Sequence, residues 1–244
     1  MAKASGMRSI EQVENNNDFL AMVSHELRAP TMVILGWVEL LGHELSHQEI
    51  IARAVEVIKR NAEAQAQLID ELLDYSRIAA NKFSMGRRLV SLGSILKAAI
   101  VDFTPIARDK HIEIEMDLNP SEDVILGDSL RLHQVFSNLL SNAINFSAPG
   151  GHLKVKFETV NEYHNIVVSD FGEGITSDFL PFVFERYRQA ERHAGGPDGL
   201  GLGLTIARQI VELHGGTIEA YSRGKGQGAA FTVKLPNAIK DKSQ

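Results

Sequence analysis

The sequence predicts an α+β protein in which an N-terminal helical hairpin, dimerising into a four-helix bundle, precedes an α/β sandwich domain. In residues 10–80, apolar side chains recur every seven positions, a spacing typical of helices packed in left-handed bundles. From residue 92 onward, helical patterns are interspersed with segments of alternating apolar and polar residues, which indicate half-buried strands. Mixed helices and strands of this kind pack in layers around one core, which predicts the sandwich.

The first half is predicted to contain two long helices, over residues 10–43 and 48–80, joined by a turn. The seven-residue tracks are Val13, Leu20, Leu27, Ile34 and Leu41 in the first helix, and Ile51, Ile58, Leu72 and Ala79 in the second. Gln65 interrupts the second track. Two helices cannot enclose a core alone, so we expect a homodimer through the hairpin. The alternative is a bundle formed with the downstream domain of the same chain, but that domain looks self-sufficient.

The second half is predicted to mix helices and strands. Helices are expected at 92–108, 128–146 and 202–214, and strands at 111–118, 152–159, 163–169, 217–222 and 229–235. The segment 173–198 is rich in Gly, Pro and charge, and is expected to be a mobile loop with a short helix. The predicted domains are therefore a hairpin at 1–80, a basic linker at 81–90, a second domain at 91–236 and a polar tail at 237–244.

Composition limits the classes of protein that this chain can belong to. The length of 244 residues fits one large or two small domains, and the net charge of -6 argues against nucleic acid as a partner. The absence of cysteine excludes a disulfide framework and a thiolate metal site. No apolar run approaches a membrane span, and the polar start does not resemble a signal peptide. We therefore expect a cytoplasmic location, either alone or as the cytosolic part of a larger protein.

The segment Met22–Pro30 (MVSHELRAP) contains the most informative histidine of the chain. Neutral imidazole is a good nucleophile near neutral pH, which suits His25 to a covalent role. Glu26 could accept the other ring proton and so fix the tautomer. Pro30 has no N–H and crowds the carbonyl of Glu26, so it is predicted to bend the helix one turn past His25. Taken alone, such a histidine is more often an exposed helix residue without a role.

Two asparagines and an aspartate mark a second group of motifs. Asn138 and Asn142 lie four residues apart on one predicted helix face, within the segment SNLLSNA. Their neighbours are apolar, and two amides in such a setting are costly unless they are occupied. Asp170 ends a predicted strand in the segment DFGEG, where Gly172 and Gly174 follow it. A plain turn is the alternative for this aspartate.

A third motif alternates glycine with leucine immediately before a predicted helix. Its glycines are Gly199, Gly201 and Gly203. Glycine permits close backbone approach, and a helix N-terminus attracts phosphate, so the segment could hold a phosphorylated ligand. A glycine-rich helix start is weak evidence by itself.

In this order and spacing, the four motifs resemble those of a sensor histidine kinase, in which a phospho-accepting helix precedes an ATP-binding domain of the GHKL type. The resemblance covers roughly residues 15–236 and includes the closing segments Glu212–Gly216 and Phe231–Pro236. It implies ATP and Mg²⁺ as cofactors and His25 as the phospho-acceptor. The residues that it places at the nucleotide are Asn138, Asn142, Asn145, Phe146, Asp170, Gly172, Gly174, Gly199, Gly201, Gly203 and Thr232.

The resemblance also implies individual roles at this site. Asn142 would be the Mg²⁺ ligand, because a single carbonyl ligand suits an ion that takes its other oxygens from phosphate and water. Phe146 would pack near the adenine, and Asp170 would accept a hydrogen bond from the adenine amino group, which distinguishes ATP from GTP. Asn145 stands where many members carry lysine, and Arg188 is the candidate cation in its place.

Two departures from the family pattern carry predictions. The family commonly has Thr or Asn four residues after the acceptor histidine, where the side chain helps to place a water for phosphatase activity. Ala29 occupies that position here and cannot hydrogen-bond a water, so we expect weak phosphatase activity. Pro197 and Asp198 replace the more usual small residues before the glycines, which changes the expected lid.

The expected function is an ATP-dependent protein-histidine kinase that autophosphorylates His25, with Glu26 and Arg188 assisting. The phosphoryl group would pass to an aspartate of a response regulator on another chain, and an upstream sensory domain or partner would supply the signal. The first alternative is an ATPase of the chaperone and gyrase group, but Asn138 stands where those enzymes carry their catalytic glutamate. The second is a pseudokinase or scaffold that binds ATP without phosphotransfer. A Ser/Thr kinase is excluded because its other motifs are absent.

Overall fold

The computed structural model describes residues 2–43, 48–80, 82–120, 122–188 and 200–238. The chain divides into two compact units: the first contains the N-terminal helices up to Ser76, and the second contains the other elements from Arg77 onward. Residues 200–202 group with the first unit. Among the helices described, none combines the length and the apolar character that crossing a membrane requires.

The first unit consists of two long helices, α1 (Ala2–His43) and α2 (Gln48–Ala79). Both were predicted, and α1 begins earlier than the seven-residue pattern indicated. Pro30 lies inside α1, and the helix is continuous on both sides of it. Several apolar side chains of this unit remain exposed in the single chain, among them Met32, Leu35, Val38, Val55 and Leu73. Apolar surface of this extent on a hairpin is typical of an association face.

The second unit is built on two sheets. The main sheet has five strands in the order β2-β4-β5-β7-β6, with β2 parallel to β4 and every other pair antiparallel. These strands are β2 (Glu113–Leu118), β4 (His152–Val160), β5 (Tyr163–Asp170), β6 (Thr217–Tyr221) and β7 (Ala229–Pro236). The second sheet is an antiparallel ribbon of β1 (Arg88–Ser91) and β3 (Val124–Gly127).

Three helices cover one face of the main sheet and close the core. They are α3 (Leu92–Asp109), α4 (Ser129–Asn145) and α5 (Gly203–Leu213), and a short 3₁₀ helix spans Leu180–Phe182. Alternate residues of β5 and β7 are buried beneath these helices, as the sequence alternation predicted. Among the apolar residues of this core, the following side chains are completely buried: Phe136, Leu139, Leu140, Ile166 and Val233. This is the predicted α/β sandwich.

Helix α4 is held at its N-terminal end by a capping residue and by a contact with α5. Its N-cap is Asp128, whose Oδ1 accepts from the backbone N–H groups of Leu130 and Arg131 at 3.1 and 3.3 Å. A carboxylate there satisfies amides that have no helical partner and complements the helix dipole. The backbone N–H of Asp128 in turn donates to Nε2 of His214 at 3.0 Å, at the C-terminal end of α5. The start of α4 and the end of α5 are thus tied together.

Three expectations need correction. Ribbon strands β1 and β3 were missed, and β1 begins inside the predicted linker, because four-residue strands are too short to show alternation. The strand expected from His111 starts at Glu113, since His111 adopts a positive φ of 56° in the preceding turn. The polar tail was predicted to begin at 237, but Asn237 is buried and its N–H donates to the carbonyl of Glu162 at 2.8 Å, so it still belongs to the folded unit.

Candidate nucleotide and phospho-acceptor site

A polar stripe runs along α4 on the side away from its buried residues. It contains Asn138, Asn142 and Asn145, at intervals of four and three residues, which places them on one face. All three are half-buried, while the opposite stripe of Val135, Phe136, Leu139 and Leu140 is fully buried. Asn145 donates to Oγ of Ser141 at 3.3 Å. The sequence prediction of one shared face is confirmed by this geometry.

Asn138 connects α4 with the first residue of α5. Its Nδ2 donates to the carbonyl of Gly203 at 2.8 Å, so the glycine-rich helix start lies directly beside the asparagine stripe. Inside α5, Oγ1 of Thr205 donates to the carbonyl of Phe184 at 3.0 Å and anchors the preceding loop. Gly201 adopts a positive φ of 65° and groups with the helical unit. Gly199 lies outside the described residues.

Asp170 is a buried carboxylate at the end of β5, with only 6% of its surface exposed. Its Oδ1 accepts from the backbone N–H groups of Gly172 at 3.0 Å and of Ala229 at 3.2 Å. Burial raises the pKa of this carboxyl above its usual value, and the two backbone hydrogen bonds oppose that shift. Both of these hydrogen bonds from the neighbouring backbone go to the same carboxylate oxygen, Oδ1.

The turn after Asp170 packs on the C-terminal end of α4. The N–H of Glu173 donates to the carbonyl of Phe146 at 3.1 Å, and the N–H of Phe146 donates to the carbonyl of Asn142 at 3.0 Å. Gly172 passes so close to the Phe146 carbonyl that a β-carbon would overlap it, which explains the glycine. Asn142, Phe146, Gly172 and Asp170 are therefore brought together at one end of the unit.

Gly174 and two aromatic rings complete this end. Gly174 lies beside the turn that joins β6 to β7, where a β-carbon would overlap the carbonyl of Gly224. Phe146 is 40% exposed, and Phe171 is 64% exposed. The Phe171 ring lies with its centre 5.5 Å from that of His152, so Phe146 is the exposed aromatic residue that the described contacts link to the Asp170 turn. An exposed aromatic ring near a buried carboxylate is typical of a site that receives a flat, partly apolar ligand.

Thr232 and Arg188 are not brought into this group by any described contact. Thr232 pairs with Val167 and lies on the opposite face of the sheet from Phe231 and Asp170, because side chains alternate along a strand. Arg188 follows the 3₁₀ helix, with its Nε 3.4 Å from Oε2 of Glu185 and its guanidinium 4.7 Å from the centre of the Phe182 ring. Its charge is thus already partly balanced.

His25 and Glu26 differ in environment on α1. The His25 side chain is exposed, whereas Glu26 is buried. Adjacent residues of a helix do not face each other, so the two side chains leave α1 in different directions. Ala29, four residues after His25, is exposed as well. An exposed imidazole is accessible to an incoming phosphoryl group.

Two residues hold the ends of α4 through contacts that the sequence did not predict. Lys110 donates from Nζ to the carbonyls of Ile144 at 3.0 Å and Asn145 at 3.4 Å, where the end of α4 leaves carbonyls without helical partners. His214 is buried between Ile210 and the start of α4, with Nδ1 2.7 Å from the Ile210 carbonyl. Lys110 carries no sequence signal, but the Gly215-Gly216 pair after His214 already marked a helix end.

The residues present suit a nucleotide with Mg²⁺. Among the described residues, no group of three His, Asp or Glu side chains could hold a metal by itself. Mg²⁺ is commonly held by one or two protein oxygens together with substrate phosphates and water. The half-buried amide of Asn142, close to the α5 N-terminus through Asn138 and Gly203, fits that requirement.

Comparison with known proteins agrees with this geometry. Residues 15–81 match the His Kinase A (phospho-acceptor) domain, and residues 127–239 match the Histidine kinase-, DNA gyrase B-, and HSP90-like ATPase family. The chain is 33% identical to hybrid signal transduction histidine kinase D of Dictyostelium discoideum, over 91% of the chain and 17% of that protein. It is 32% identical to sensor histidine kinase RppB of Synechocystis, over 94% of the chain and 51% of that protein.

A solved structure shares both parts of the fold. Full-length ShkA in complex with AMPPNP is 27% identical to the chain, with a TM-score of 0.66 over 89% of this chain and 45% of that one. The chain spans between 17 and 51% of the length of the first four curated relatives. The described fold, the two matched domains and these relatives together show that the chain belongs to the histidine kinase family, as a phospho-acceptor domain followed by the family's ATPase domain.

Proposed function

We propose that this chain is an ATP-dependent protein-histidine kinase that phosphorylates its own His25 and passes the phosphoryl group to an aspartate of a response regulator. The observation that carries the proposal is the grouping of Asp170, Phe146 and Asn142 at one end of the ATPase unit, in a chain that also presents an exposed His25. The relatives from Dictyostelium discoideum and Synechocystis are histidine kinases, and the similar ShkA structure is a complex with AMPPNP.

Recognition of the base follows from the bonding of Asp170. Its Oδ1 is engaged by the N–H groups of Gly172 and Ala229, so Oδ2 is the oxygen that accepts from the adenine amino group. Guanine offers an acceptor at the corresponding position and would meet a second acceptor. Phe146 is exposed at the end of α4, which contacts the Asp170 turn, and would supply apolar surface for the ring. The proposed nucleotide is therefore ATP.

The phosphates are expected along the asparagine stripe and the start of α5. The N-terminus of α5 has backbone N–H groups without helical partners, which favour anions. Asn142 would hold Mg²⁺, which when bound neutralises phosphate charge and orients the triphosphate. Asn138 acts by holding the Gly203 end of α5 against α4 at 2.8 Å.

Phosphotransfer would use the exposed ring of His25 as nucleophile. A ring nitrogen forms a bond to the γ-phosphorus, the bond from that phosphorus to the bridging oxygen breaks, and ADP leaves with that electron pair. The proton on the other ring nitrogen must be held or accepted by a base, and Glu26 is the proposed acceptor. Because Glu26 is buried while His25 is exposed, this role requires a rotation of one of the side chains.

Arg188 is the proposed cation that balances charge during transfer, in place of the lysine that Asn145 replaces. In the described structure it lies 3.4 Å from Glu185 and stacks on Phe182. It would have to exchange the Glu185 carboxylate for a phosphate, an exchange for which guanidinium geometry is suited. The same pairing favours a second candidate function, an ATP-binding pseudokinase in which Arg188 never leaves Glu185.

The partners follow from the surfaces of the first unit. Met32, Leu35 and Val38 are all more than half exposed, which supports a homodimer through the hairpin. We further propose a receiver domain as the phosphoryl acceptor, a sensory input upstream, and a cytoplasmic working place where ATP is supplied. Ala29 lacks the polar group that places a water, so the proposed enzyme is a weak phosphatase.

The proposal is tested by incubating the wild type and His25→Ala with γ-labelled ATP and Mg²⁺. Phosphohistidine is acid-labile and base-stable, so we expect label of that kind on the wild type alone. Nucleotide binding of the variant should equal that of the wild type, because His25 belongs to the other unit. Intact binding without any label on the wild type would favour the pseudokinase. Label that persists in the variant would contradict His25 as acceptor.

A further inference from the structure

Gln65 is the one polar residue on an apolar track of α2. The track consists of Ile51, Ile58, Gln65, Leu72 and Ala79, spaced by seven. An amide at such a position lowers the stability of a bundle and is retained where it specifies register. It is half-buried in the single chain, so its polar atoms need partners.

Its partners lie on the facing helix. Nε2 of Gln65 donates to Oγ1 of Thr31 at 2.9 Å and approaches the carbonyl of Leu27 at 3.4 Å. Thr31 itself donates to the Leu27 carbonyl at 2.8 Å. These contacts link Gln65, Thr31 and Leu27, and they cross from α2 to α1.

The crossing falls on the turn of α1 that contains Pro30. Pro30 has no N–H, so it cannot donate the usual helical hydrogen bond four residues back. Leu27 and Thr31 flank this gap, and His25 stands immediately on its N-terminal side. A turn that lacks one hydrogen bond can twist or bend more easily than its neighbours. The Gln65 contacts restrain this turn from outside.

We infer that Gln65 is a positioning residue, which holds the Pro30 turn of α1 in register with α2 and thereby sets the orientation in which His25 is presented for phosphorylation. The inference rests on the proposed function for its kinetic consequence. Its structural part, the restraint of residues 27–31, stands independently of that function. The bonded atoms, rather than the volume of the side chain, carry the effect.

The test compares Gln65→Leu, Thr31→Val and the double variant with the wild type. Leucine restores the apolar track, so the melting temperature should not fall. The autophosphorylation rate at saturating ATP should fall about five-fold in each single variant, the size expected for one positioning hydrogen bond. The double variant should also lose about five-fold, because both changes remove the same bond. The KM for ATP should not change.

Two controls separate positioning from general damage. Gln67→Leu makes the same replacement at an exposed residue whose described hydrogen bond is to Glu71 of its own helix, and it should keep the wild-type rate. Thr31→Ser keeps the hydroxyl and should restore most of the rate. A wild-type rate in Gln65→Leu, multiplying losses in the double variant, or a loss that follows the melting temperature would each overturn the inference.

Hydrogen exchange separates failure of this inference from failure of the proposed function. Backbone amides at residues 31–34 should exchange faster in Gln65→Leu and Thr31→Val than in the wild type, while those of α4 should not change. This readout needs no kinase activity. If the wild type takes no label, the proposed function fails, and unchanged exchange in both variants would overturn the restraint as well.

Discussion

Asp170→Asn replaces one carboxylate oxygen by an amino group at the proposed base-recognition site. The backbone N–H groups of Gly172 and Ala229 donate to Oδ1 at 3.0 and 3.2 Å, and the asparagine oxygen can keep both bonds. The new Nδ2 must then occupy the place of Oδ2. This Nδ2 is a hydrogen-bond donor and would face the adenine amino group, which is also a donor. The same Nδ2 could donate to the carbonyl that guanine carries at that position.

The expected size of the effect follows from this exchange of donor for acceptor. A hydrogen bond to a charged group contributes about 1.5–3 kcal/mol, so ATP affinity should fall about 10- to 150-fold. The substitution should not destabilise the fold. Asp170 is 6% exposed, and burial raises its pKa because it disfavours the charged carboxylate. The neutral amide of asparagine does not carry this cost. A raised pKa in the folded state means that wild-type stability declines as pH rises from 3.8 toward that pKa, and the variant lacks this decline.

Calorimetric titration with ATP and with GTP, together with thermal melting, measures both consequences. The variant should lose ATP affinity, narrow or reverse the preference for ATP over GTP, and melt at or above the wild-type temperature at neutral pH. Glu173→Gln, in the same turn but without a role in base recognition, serves as a matched control. Unchanged ATP affinity in Asp170→Asn would refute the assignment of Oδ2. A loss of ATP and GTP binding together with a lower melting temperature would refute the reasoning about stability.

Two further predictions concern other parts of the molecule. His214→Ala removes the acceptor of the Asp128 N–H and the partner of the Ile210 carbonyl, so the free energy of unfolding should fall by about 2–4 kcal/mol in urea titrations, and an undiminished value would contradict the described packing. Burial lowers the pKa of His214 in the folded state, so below pH 6.5 the unfolded state binds more protons and wild-type stability should decline. Melting curves from about pH 8 to about pH 5 should therefore show a smaller decline in His214→Ala than in the wild type. Ala29→Thr should increase dephosphorylation of a phosphorylated receiver several-fold, because the hydroxyl can place a water; the idea fails if wild-type phosphatase activity is strong and the variant does not exceed it.

The order of the long helices and strands could be predicted, because each of them carries its own periodic pattern of apolar residues. The seven-residue repeat predicted α1 and α2, and alternation predicted β5 and β7 almost to their ends. The ribbon of β1 and β3 could not be predicted, because four residues carry no readable period and the pairing partner lies more than thirty residues away. Where an element was long enough to show several periods, the pattern of apolar residues was sufficient to predict it.

The candidate site was predictable where helix spacing decides proximity, and not where tertiary contacts decide it. Asn138 and Asn142 share a face by spacing alone, whereas the contact of Glu173 with Phe146 depends on how β5 meets α4. Thr232 could have been excluded, since its apolar neighbours on β7 already placed it on the other face. Arg188 could not have been excluded from the sequence, because its pairing with Glu185 lies in an irregular segment that has no periodic pattern.

The most direct test of the account is to map the phosphorylated residue after reaction with ATP and Mg²⁺, by tandem mass spectrometry at alkaline pH. The account predicts phosphate on a ring nitrogen of His25, abolished by His25→Ala and strongly reduced by Asn142→Ala, with both variants folded. Phosphate on another residue, such as the half-buried His133, or wild-type labelling in Asn142→Ala, would contradict it.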